Sequence, residues 1–223
     1  MTGPSQALIF DFDGTILDTE TPVFESWAEA YRAGGAEPIA LSIWLEHIGK
    51  ADGHGLDVRG MLCEHLGVEI LPPEIEDHRR SVRDEMLHDL PLRSGVQHWI
   101  EAAQAFRVPL AIASSSPSDW VRPHLKRLGL DGVFGVVSCA DPPTPGKPDP
   151  AVYLRACDQL DVRPADALAI EDSTHGVSAA MAAGMRCIAA PGPITRTMNF
   201  DHATIRVDDL ASLDPLDWLA ATV

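Results

Sequence analysis

Positive charge is scarce in this chain, where 17 lysine and arginine residues stand against 33 acidic residues and give a formal net charge of −16. Nucleic acids and acidic membranes bind proteins through basic surfaces, so we expect neither as a partner. Only three of the 17 cations are lysines. A phosphorylated ligand would therefore have to be held by a few local cations or by a metal ion, against the field of the whole molecule.

Long apolar stretches are missing as well. No run approaches the roughly 18 residues that a membrane-spanning helix needs, and the N-terminus lacks the charged-then-apolar layout of a secretion signal. We therefore expect a soluble, cytoplasmic protein. The four cysteines form no Cys-x-x-Cys pair and the nine histidines show no zinc-binding spacing, so we expect reduced thiols and no zinc. The oligomeric state is open in the sequence, and a monomer is our working expectation.

Short apolar runs alternate with amphipathic segments along most of the chain, and hydrophobic residues make up 45% of it. This alternation predicts an α/β fold with a doubly wound, Rossmann-like parallel sheet as its core. The predicted strands are Ala7–Phe10, Leu110–Ala113, Val133–Val137, Leu168–Ile170 and Cys187–Ala190. The predicted core helices run roughly over Ser94–Phe106, Pro117–Leu128, Pro150–Leu160 and Thr174–Ala183.

The connection between the first two predicted strands is much longer than the roughly 10–12 residues that a crossover needs. Apolar residues recur in it at helical spacing, around Trp27 and again around Leu62, and a third helical pattern lies between Pro73 and Leu90. We interpret residues 18–90 as an inserted α-helical cap domain, and residues 1–17 together with 91–223 as the α/β core.

Two carboxylates follow the first predicted strand directly, in the segment Asp11-Phe12-Asp13-Gly14-Thr15. In an extended chain the two side chains point the same way, and open α/β sheets bind ligands at this edge. Gly14 permits a sharp turn whose backbone N–H groups can hold an anion. The plainer alternative is a solvated strand end with an Asp-Gly turn.

The second predicted strand ends at Ser114, whose hydroxyl can donate to a phosphoryl oxygen without adding charge. A serine in this place can equally cap a helix, and we expect Ser116, which precedes Pro117, to do that.

Two further segments carry charge that suits phosphate and metal binding. Lys147, in Gly-Lys-Pro-Asp-Pro, offers a compact positive charge for phosphate, with an exposed turn lysine as the alternative. Glu171 and Asp172 follow the fourth strand and suit a hard cation such as Mg²⁺, unless Asp172 or Ser173 only caps the next helix. Since the carboxyl ends of parallel strands share one edge, all these residues are expected in one cleft.

The order DFDGT, IAS, GKPDP and IEDS resembles the four motifs of the haloacid dehalogenase superfamily, across nearly the whole chain. Asp18-Thr19-Glu20 and the helical insertion that follows resemble the subgroup with an α-helical cap, which includes phosphoglycolate and sugar-phosphate phosphatases and β-phosphoglucomutase. The resemblance implies a magnesium-dependent phosphatase that hydrolyses a small phosphorylated metabolite, with a sugar phosphate favoured, through an aspartyl-phosphate.

The resemblance also implies roles for individual residues. Asp11 would attack phosphorus, and Asp13 would protonate the leaving oxygen and then deprotonate water. Ser114 and Lys147 would hold the transferring phosphoryl group. The implied metal contacts are Asp11, the backbone carbonyl of Asp13, Asp172 and Glu171, the last as a ligand or as a partner of the ligands. The implied substrate-binding residues are Gly14, Thr15, Ser115 and, from the cap, Glu20 and Lys50, although Lys50 could equally be a solvated surface charge.

Other classes of protein remain as alternatives. Dehalogenases and phosphonatases lack an acid at the position of Asp13. β-Phosphoglucomutases share all four motifs, but they carry a His and an Arg in the cap where this chain has Val23 and Ala51 or Asp52. We therefore favour a phosphatase and keep a phosphosugar mutase as the alternative. A non-enzymatic phosphoacceptor domain of receiver type is less favoured, because the helical insertion would be foreign to it.

Overall fold

The centre of the molecule is a six-stranded parallel sheet in the order β3-β2-β1-β4-β5-β6. The computed structural model describes residues 5–46, 48–49 and 56–219. Successive strands are added on one side of β1 and then on the other, so the strand order reverses between β1 and β4. Ligands bind at such a reversal, beyond the carboxyl ends of the strands. The strands are β1 (Ala7–Phe10), β2 (Leu110–Ser114), β3 (Val136–Cys139), β4 (Ala167–Glu171), β5 (Arg186–Ala189) and β6 (Ile205–Arg206).

Both faces of the sheet are buried, which explains why the strands read as continuous apolar runs. Leu8 and Phe10 of β1 face one hydrophobic cluster, which also contains the fully buried Trp99. Ile9 faces the other cluster, together with Tyr153. The predicted doubly wound α/β core is confirmed. Its helices are α5 (Val96–Ala105), α6 (Ser118–Arg127), α7 (Ala151–Gln159) and α8 (Thr174–Ala182).

The third strand lies later in the chain than predicted. The prediction was Val133–Val137, whereas the strand is Val136–Cys139. Val133 instead belongs to a turn, in which its N–H donates to the carbonyl of Leu130 at 3.1 Å. Phe134 is buried against Phe10, with 6.1 Å between ring centroids. These two residues are therefore apolar because their side chains pack against the core, although neither residue belongs to the sheet.

Between β1 and α5, where the inserted domain was expected, the described residues form four helices. They are α1 (Glu20–Ala33), α2 (Leu41–Leu45), α3 (Val58–Leu66) and α4 (Pro73–His88). Buried side chains of α1, α3 and α4 contribute to a hydrophobic cluster separate from the two that cover the sheet, and the Tyr31 hydroxyl donates to the carbonyl of Val58 at 2.9 Å within it. The short helix α2 was not predicted. The boundaries of residues 18–90 as a domain stay a prediction. Over the described part of the chain, every helix is too short or too polar to cross a bilayer.

Candidate active site

The carboxyl ends of β1 and β4 and the loop after β3 bring Asp11, Glu171 and Lys147 into direct contact. The ammonium of Lys147 donates to the Asp11 carboxylate and, at 2.5 Å, to Oε1 of Glu171. Lys147 is only 2% exposed. The alternative of an exposed turn lysine is therefore wrong, because this ammonium is buried between two carboxylates that compensate its charge.

Three buried carboxylates, Asp11, Glu171 and Asp172, lie close enough together to share a cation, with one candidate ligand oxygen of each within 4.8 Å of the others. Burial raises the pKa of Asp11 to about 7, with Lys147 opposing the shift and Glu171 adding to it. Burial also raises the pKa of Asp172 well above its usual value, and the neighbouring Asp11 and Glu171 reinforce this. One ammonium does not balance three carboxylates, so this oxygen-rich cluster fits a small divalent cation.

The two oxygens of Glu171 are both engaged within the protein. Oε1 accepts from Lys147 and, at 2.7 Å, from the hydroxyl of Tyr153. Oε2 accepts from the backbone N–H groups of Asp172 at 3.1 Å and Ser173 at 3.2 Å. By contrast, Oδ2 of Asp11 is buried without a hydrogen-bond partner among the described residues. Tyr153 was not expected in the site, because its sequence position indicates only a buried aromatic residue on a helix.

Asp13 lies outside this cluster and is held by three neutral donors. Its Oδ1 accepts from the Thr19 hydroxyl at 2.7 Å and from the indole N–H of Trp120 at 2.8 Å. Its Oδ2 accepts from the hydroxyl of Ser116 at 2.6 Å. The prediction that Ser116 caps the next helix is wrong: the N-cap of α6 is Pro117, without a side-chain capping bond, because the Ser116 hydroxyl is bound to Asp13.

The turn after β1 has the shape that an Asp-Gly pair predicted. Gly14 has a φ of +80°, and a Cβ there would lie 2.2 Å from Oδ2 of Asp172, so only glycine fits. The hydroxyl of Thr15 is buried and has no hydrogen-bond partner within the described chain. The solvated strand end offered as the plain alternative is therefore wrong, since Asp11 is 6% exposed and Thr15 is 2% exposed.

Arg93 contacts this turn directly, although it lies far from it in the sequence. Its guanidinium donates to the carbonyl of Gly14, to that of Ala190 at 2.9 Å and to that of Pro191 at 2.8 Å. Arg93 lies between α4 and α5 in the chain, and its three acceptors lie 79, 97 and 98 residues away. No local motif could have identified it.

The two serines at the end of β2 lie at the same edge. Ser114 is buried, and its hydroxyl oxygen accepts from the N–H of Ser116 at 3.0 Å. Ser115 donates to the carbonyl of Gly49 at 2.8 Å and accepts from the N–H of Lys147 at 3.1 Å. Ser115 therefore connects the Lys147 loop with the segment that follows α2.

Among the predicted cap residues, Glu20 lies near the site and Lys50 falls outside the described residues, as do Ala51 and Asp52. Burial raises the pKa of Glu20 to about 8, and the charges of Asp13 and Asp11 add to the shift. Glu20 is the first residue of α1, so this helix contributes a carboxyl group next to the strand edge.

The helix-capping alternative at the end of β4 applies to Ser173 alone. The Ser173 hydroxyl accepts from the N–H of Gly176 at 3.0 Å at the start of α8. Asp172 instead accepts from the hydroxyl of Thr195 at 3.1 Å and stays with the acidic cluster. Gly176 is also required here, because a Cβ would lie 1.9 Å from Oε1 of Glu171.

The chain is similar to known proteins in both sequence and fold. Residues 8–190 match the sequence model of the haloacid dehalogenase-like hydrolases. YhcW of Bacillus subtilis (strain 168), which is named as a candidate phosphatase, is 37% identical over 94% of each chain. The phosphorylated carbohydrates phosphatase of Thermotoga maritima is 30% identical over 96% of each chain. The crystal structure of CbbY from Rhodobacter sphaeroides in complex with phosphate superimposes with a TM-score of 0.73 at 27% identity, covering 94% of this chain and 96% of that one.

The structural match confirms the predicted fold class, and the match to the family confirms the resemblance seen in the four motifs. The relatives that are named phosphatases also confirm the predicted class of enzyme, a phosphoric monoester hydrolase. The chain therefore belongs to the haloacid dehalogenase-like hydrolase family.

Proposed function

We propose that this protein is a magnesium-dependent phosphatase that hydrolyses a small phosphorylated carbohydrate through a phosphoryl intermediate on Asp11. The observation that carries the proposal is the environment of Asp11: one oxygen is bound by Lys147, and Oδ2 is buried at the strand edge with no hydrogen-bond partner in the described part of the chain. The relative named for phosphorylated carbohydrates supports this substrate class.

Asp11 suits the role of nucleophile. Its Oδ2 would attack phosphorus, the bond between phosphorus and the leaving oxygen would break, and water would later release phosphate from the carboxyl group. A carboxylate that is ionised needs no base to become nucleophilic, and dividing the displacement into two steps eases both. The ammonium of Lys147 favours the ionised form and lies where it can also contact a phosphoryl oxygen.

The residues that would hold Mg²⁺ are Asp11, Asp172 and the backbone carbonyl of Asp13. Bound Mg²⁺ would offset the repulsion between the carboxylate and the phosphate and stabilise charge on the phosphoryl oxygens. Because both oxygens of Glu171 accept hydrogen bonds from the protein, we assign Glu171 to positioning Lys147 and not to direct coordination.

The remaining groups at the edge would hold the phosphoryl group and move protons. The hydroxyls of Thr15 and Ser114 are neutral donors that can bind phosphoryl oxygens. The expectation that the N–H of Gly14 binds the anion is wrong, because this N–H already donates to the carbonyl of Leu17 at 2.7 Å. Asp13 would protonate the leaving oxygen and then take a proton from the attacking water.

The insertion would select the leaving group. Glu20 lies beside the strand edge, where its carboxyl group can form a hydrogen bond with a sugar hydroxyl. Lys50 remains a prediction for the same role. Val23, on α1, stands where β-phosphoglucomutases carry a histidine, which favours hydrolysis over transfer to a second sugar hydroxyl.

A screen of phosphorylated metabolites with Mg²⁺, followed by kinetics on the best substrate, tests the proposal. We expect phosphate release, and we expect Asp11→Asn to lower turnover on the order of 10³-fold or more while the fold is kept. Asp166→Asn is the matched control, because Asp166 lies at the opposite end of β4 and pairs with Arg163. Near-normal turnover by Asp11→Asn would refute the role of Asp11. Interconversion of hexose 1- and 6-phosphates with little free phosphate would establish the mutase instead.

A further inference from the structure

The contact between Trp120 and Asp13 joins distant parts of the chain. Trp120 lies on α6, 107 residues after Asp13, and its indole N–H donates to Oδ1 of Asp13 at 2.8 Å. An indole N–H can donate but cannot accept, so Trp120 cannot compete with Asp13 for the proton that the reaction moves. What it can do is fix the direction of the carboxylate.

Of the three donors on Asp13, Trp120 has the most restricted direction. The hydroxyls of Thr19 and Ser116 rotate and can point their hydrogens elsewhere, whereas the indole N–H lies in the plane of its ring. Packing holds that ring in place. His124, one turn later on α6, lies 4.7 Å from it between centroids in an edge arrangement, and the guanidinium of Arg83 on α4 lies 5.6 Å from its centroid.

We infer that Trp120 is a positioning residue for Asp13. The indole N–H of Trp120 fixes Oδ1 of Asp13 and leaves Oδ2 to exchange a proton with the leaving group and with water. A proton on Oδ1 would face the indole hydrogen directly. Among the described residues Oδ2 is bound by the Ser116 hydroxyl, which can turn to accept a hydrogen bond from a protonated Oδ2. The inference rests on the proposed function, because it assigns Trp120 a role through the general acid–base residue of that reaction.

The test compares kcat/KM for an alkyl phosphate and for p-nitrophenyl phosphate in four proteins: wild type, Trp120→Phe, Asp13→Ala and the double variant. An alkyl leaving group must be protonated as it departs, whereas nitrophenolate departs without help. We expect Trp120→Phe to lower kcat/KM about tenfold on the alkyl phosphate, part of the roughly 10²–10⁴-fold that acid–base catalysis contributes. The loss on p-nitrophenyl phosphate should be less than about twofold.

The double variant separates positioning from a general structural role. If Trp120 acts through Asp13, Trp120→Phe should cost nothing further in the Asp13→Ala background. Trp99→Phe is the matched control, because the Trp99 indole donates to the carbonyl of Leu210 at 3.3 Å in the core. It should affect both substrates equally.

Each outcome has a separate meaning. No loss in Trp120→Phe, equal losses on both substrates, or a loss that persists without Asp13 would overturn the inference and leave the proposed function standing. An inactive wild type, or an Asp13→Ala variant without a selective loss on the alkyl phosphate, would overturn the proposed function and the inference with it. If Trp120→Phe does not fold, benzothienylalanine at position 120 keeps the ring shape, replaces N–H by sulfur, and should show the same selective loss.

Discussion

The buried contact between Lys147 and Glu171 depends on a third residue, Tyr153. Burial alone would lower the pKa of Lys147, but the carboxylates of Asp11 and Glu171 raise it, so the lysine stays charged. Tyr153 donates to the same oxygen of Glu171 that Lys147 contacts, and its ring lies 5.0 Å from the ammonium. The Tyr153 hydroxyl therefore helps to position the ammonium of Lys147 through Glu171.

Tyr153→Phe should remove this support without opening a cavity. A hydrogen bond to a buried carboxylate contributes about 1.5–3 kcal/mol, so we expect a loss of stability of that order. We also expect turnover to fall several-fold on aryl and alkyl phosphates alike, because the proposed contact of Lys147 with the phosphoryl group is common to both. Chemical denaturation and steady-state kinetics measure the two effects.

Tyr31→Phe is the control, since the Tyr31 hydroxyl donates to the carbonyl of Val58 at 2.9 Å, among the helices between β1 and α5. It should lower stability but leave turnover of an aryl phosphate unchanged. Equal kinetic losses in the two variants would contradict a specific role for Tyr153.

At the scale of elements, helix α4 is tied to its neighbours by a cluster of charges around Glu76. Glu76 is 7% exposed and accepts from Arg79 at 2.8 Å, Arg80 at 2.7 Å and Arg59 of α3 at 3.0 Å. The guanidinium of Arg79 also lies 4.5 Å from the ring centroid of Trp27 on α1. Helices α3 and α4 therefore meet at the Glu76 carboxylate, and Arg79 connects α4 with α1.

Glu76→Gln should destabilise the protein in a pH-dependent way. The hydrogen bond from Arg79, opposed by burial and supported by Arg80 and Arg59, lowers the pKa of Glu76 from 4.5 to about 2. A lowered pKa in the folded state stabilises the protein above pH 4.5, and this contribution is lost as the pH falls from 4.5 towards 2. At neutral pH it amounts to about 3 kcal/mol at most.

Urea unfolding at pH 7 and pH 3 checks this. The difference in unfolding free energy between wild type and Glu76→Gln should shrink by about half or more at the lower pH. Glu74→Gln, an exposed residue on the same helix, should show little difference at either pH. A difference that is constant with pH would show that Glu76 acts through packing and not through its charge.

At the scale of the whole molecule, a net charge of −16 surrounds a buried site with three carboxylates and one ammonium. Both the global and the local charge favour a divalent cation, but only the local cluster can coordinate one. Coordination of the cation by the cluster and general screening of the negative charge should therefore change the melting temperature differently.

Mg²⁺ should raise the melting temperature of the wild type more than NaCl at the same ionic strength. Binding to the folded state alone stabilises by RT ln(1 + [L]/Kd), about 2.7 kcal/mol at a hundred times Kd. Asp172→Asn should lose most of this specific increment, whereas Asp166→Asn should keep it. Equal increments from Mg²⁺ and NaCl would show screening alone, and scanning calorimetry without substrate distinguishes the cases independently of activity.

Features that depend on residues adjacent in the chain could be predicted from the sequence. Ala7–Phe10 could be predicted as a strand because a strand that is buried on both faces consists of apolar residues. Asp11 follows this strand directly. Asp172 and Ser114 could be placed at the same edge, because parallel strands present their carboxyl ends together. The positive φ of Gly14 also follows from its place in the turn.

What the sequence determined by itself is therefore the fold class and the polar residues at the carboxyl ends of β1, β2 and β4, because short-range patterns carry both, whereas β3 lies later in the chain than its pattern indicated. Only the tertiary structure decided which other side chains orient these site residues. Trp120 reaches Asp13 across 107 residues and Arg93 reaches Gly14 across 79, and neither contact leaves a periodic or local signal. The prediction for Ser116 was wrong for the same reason. The start of the next helix is visible in the sequence, whereas the Asp13 carboxylate that accepts from the Ser116 hydroxyl comes close to it only in the folded sheet.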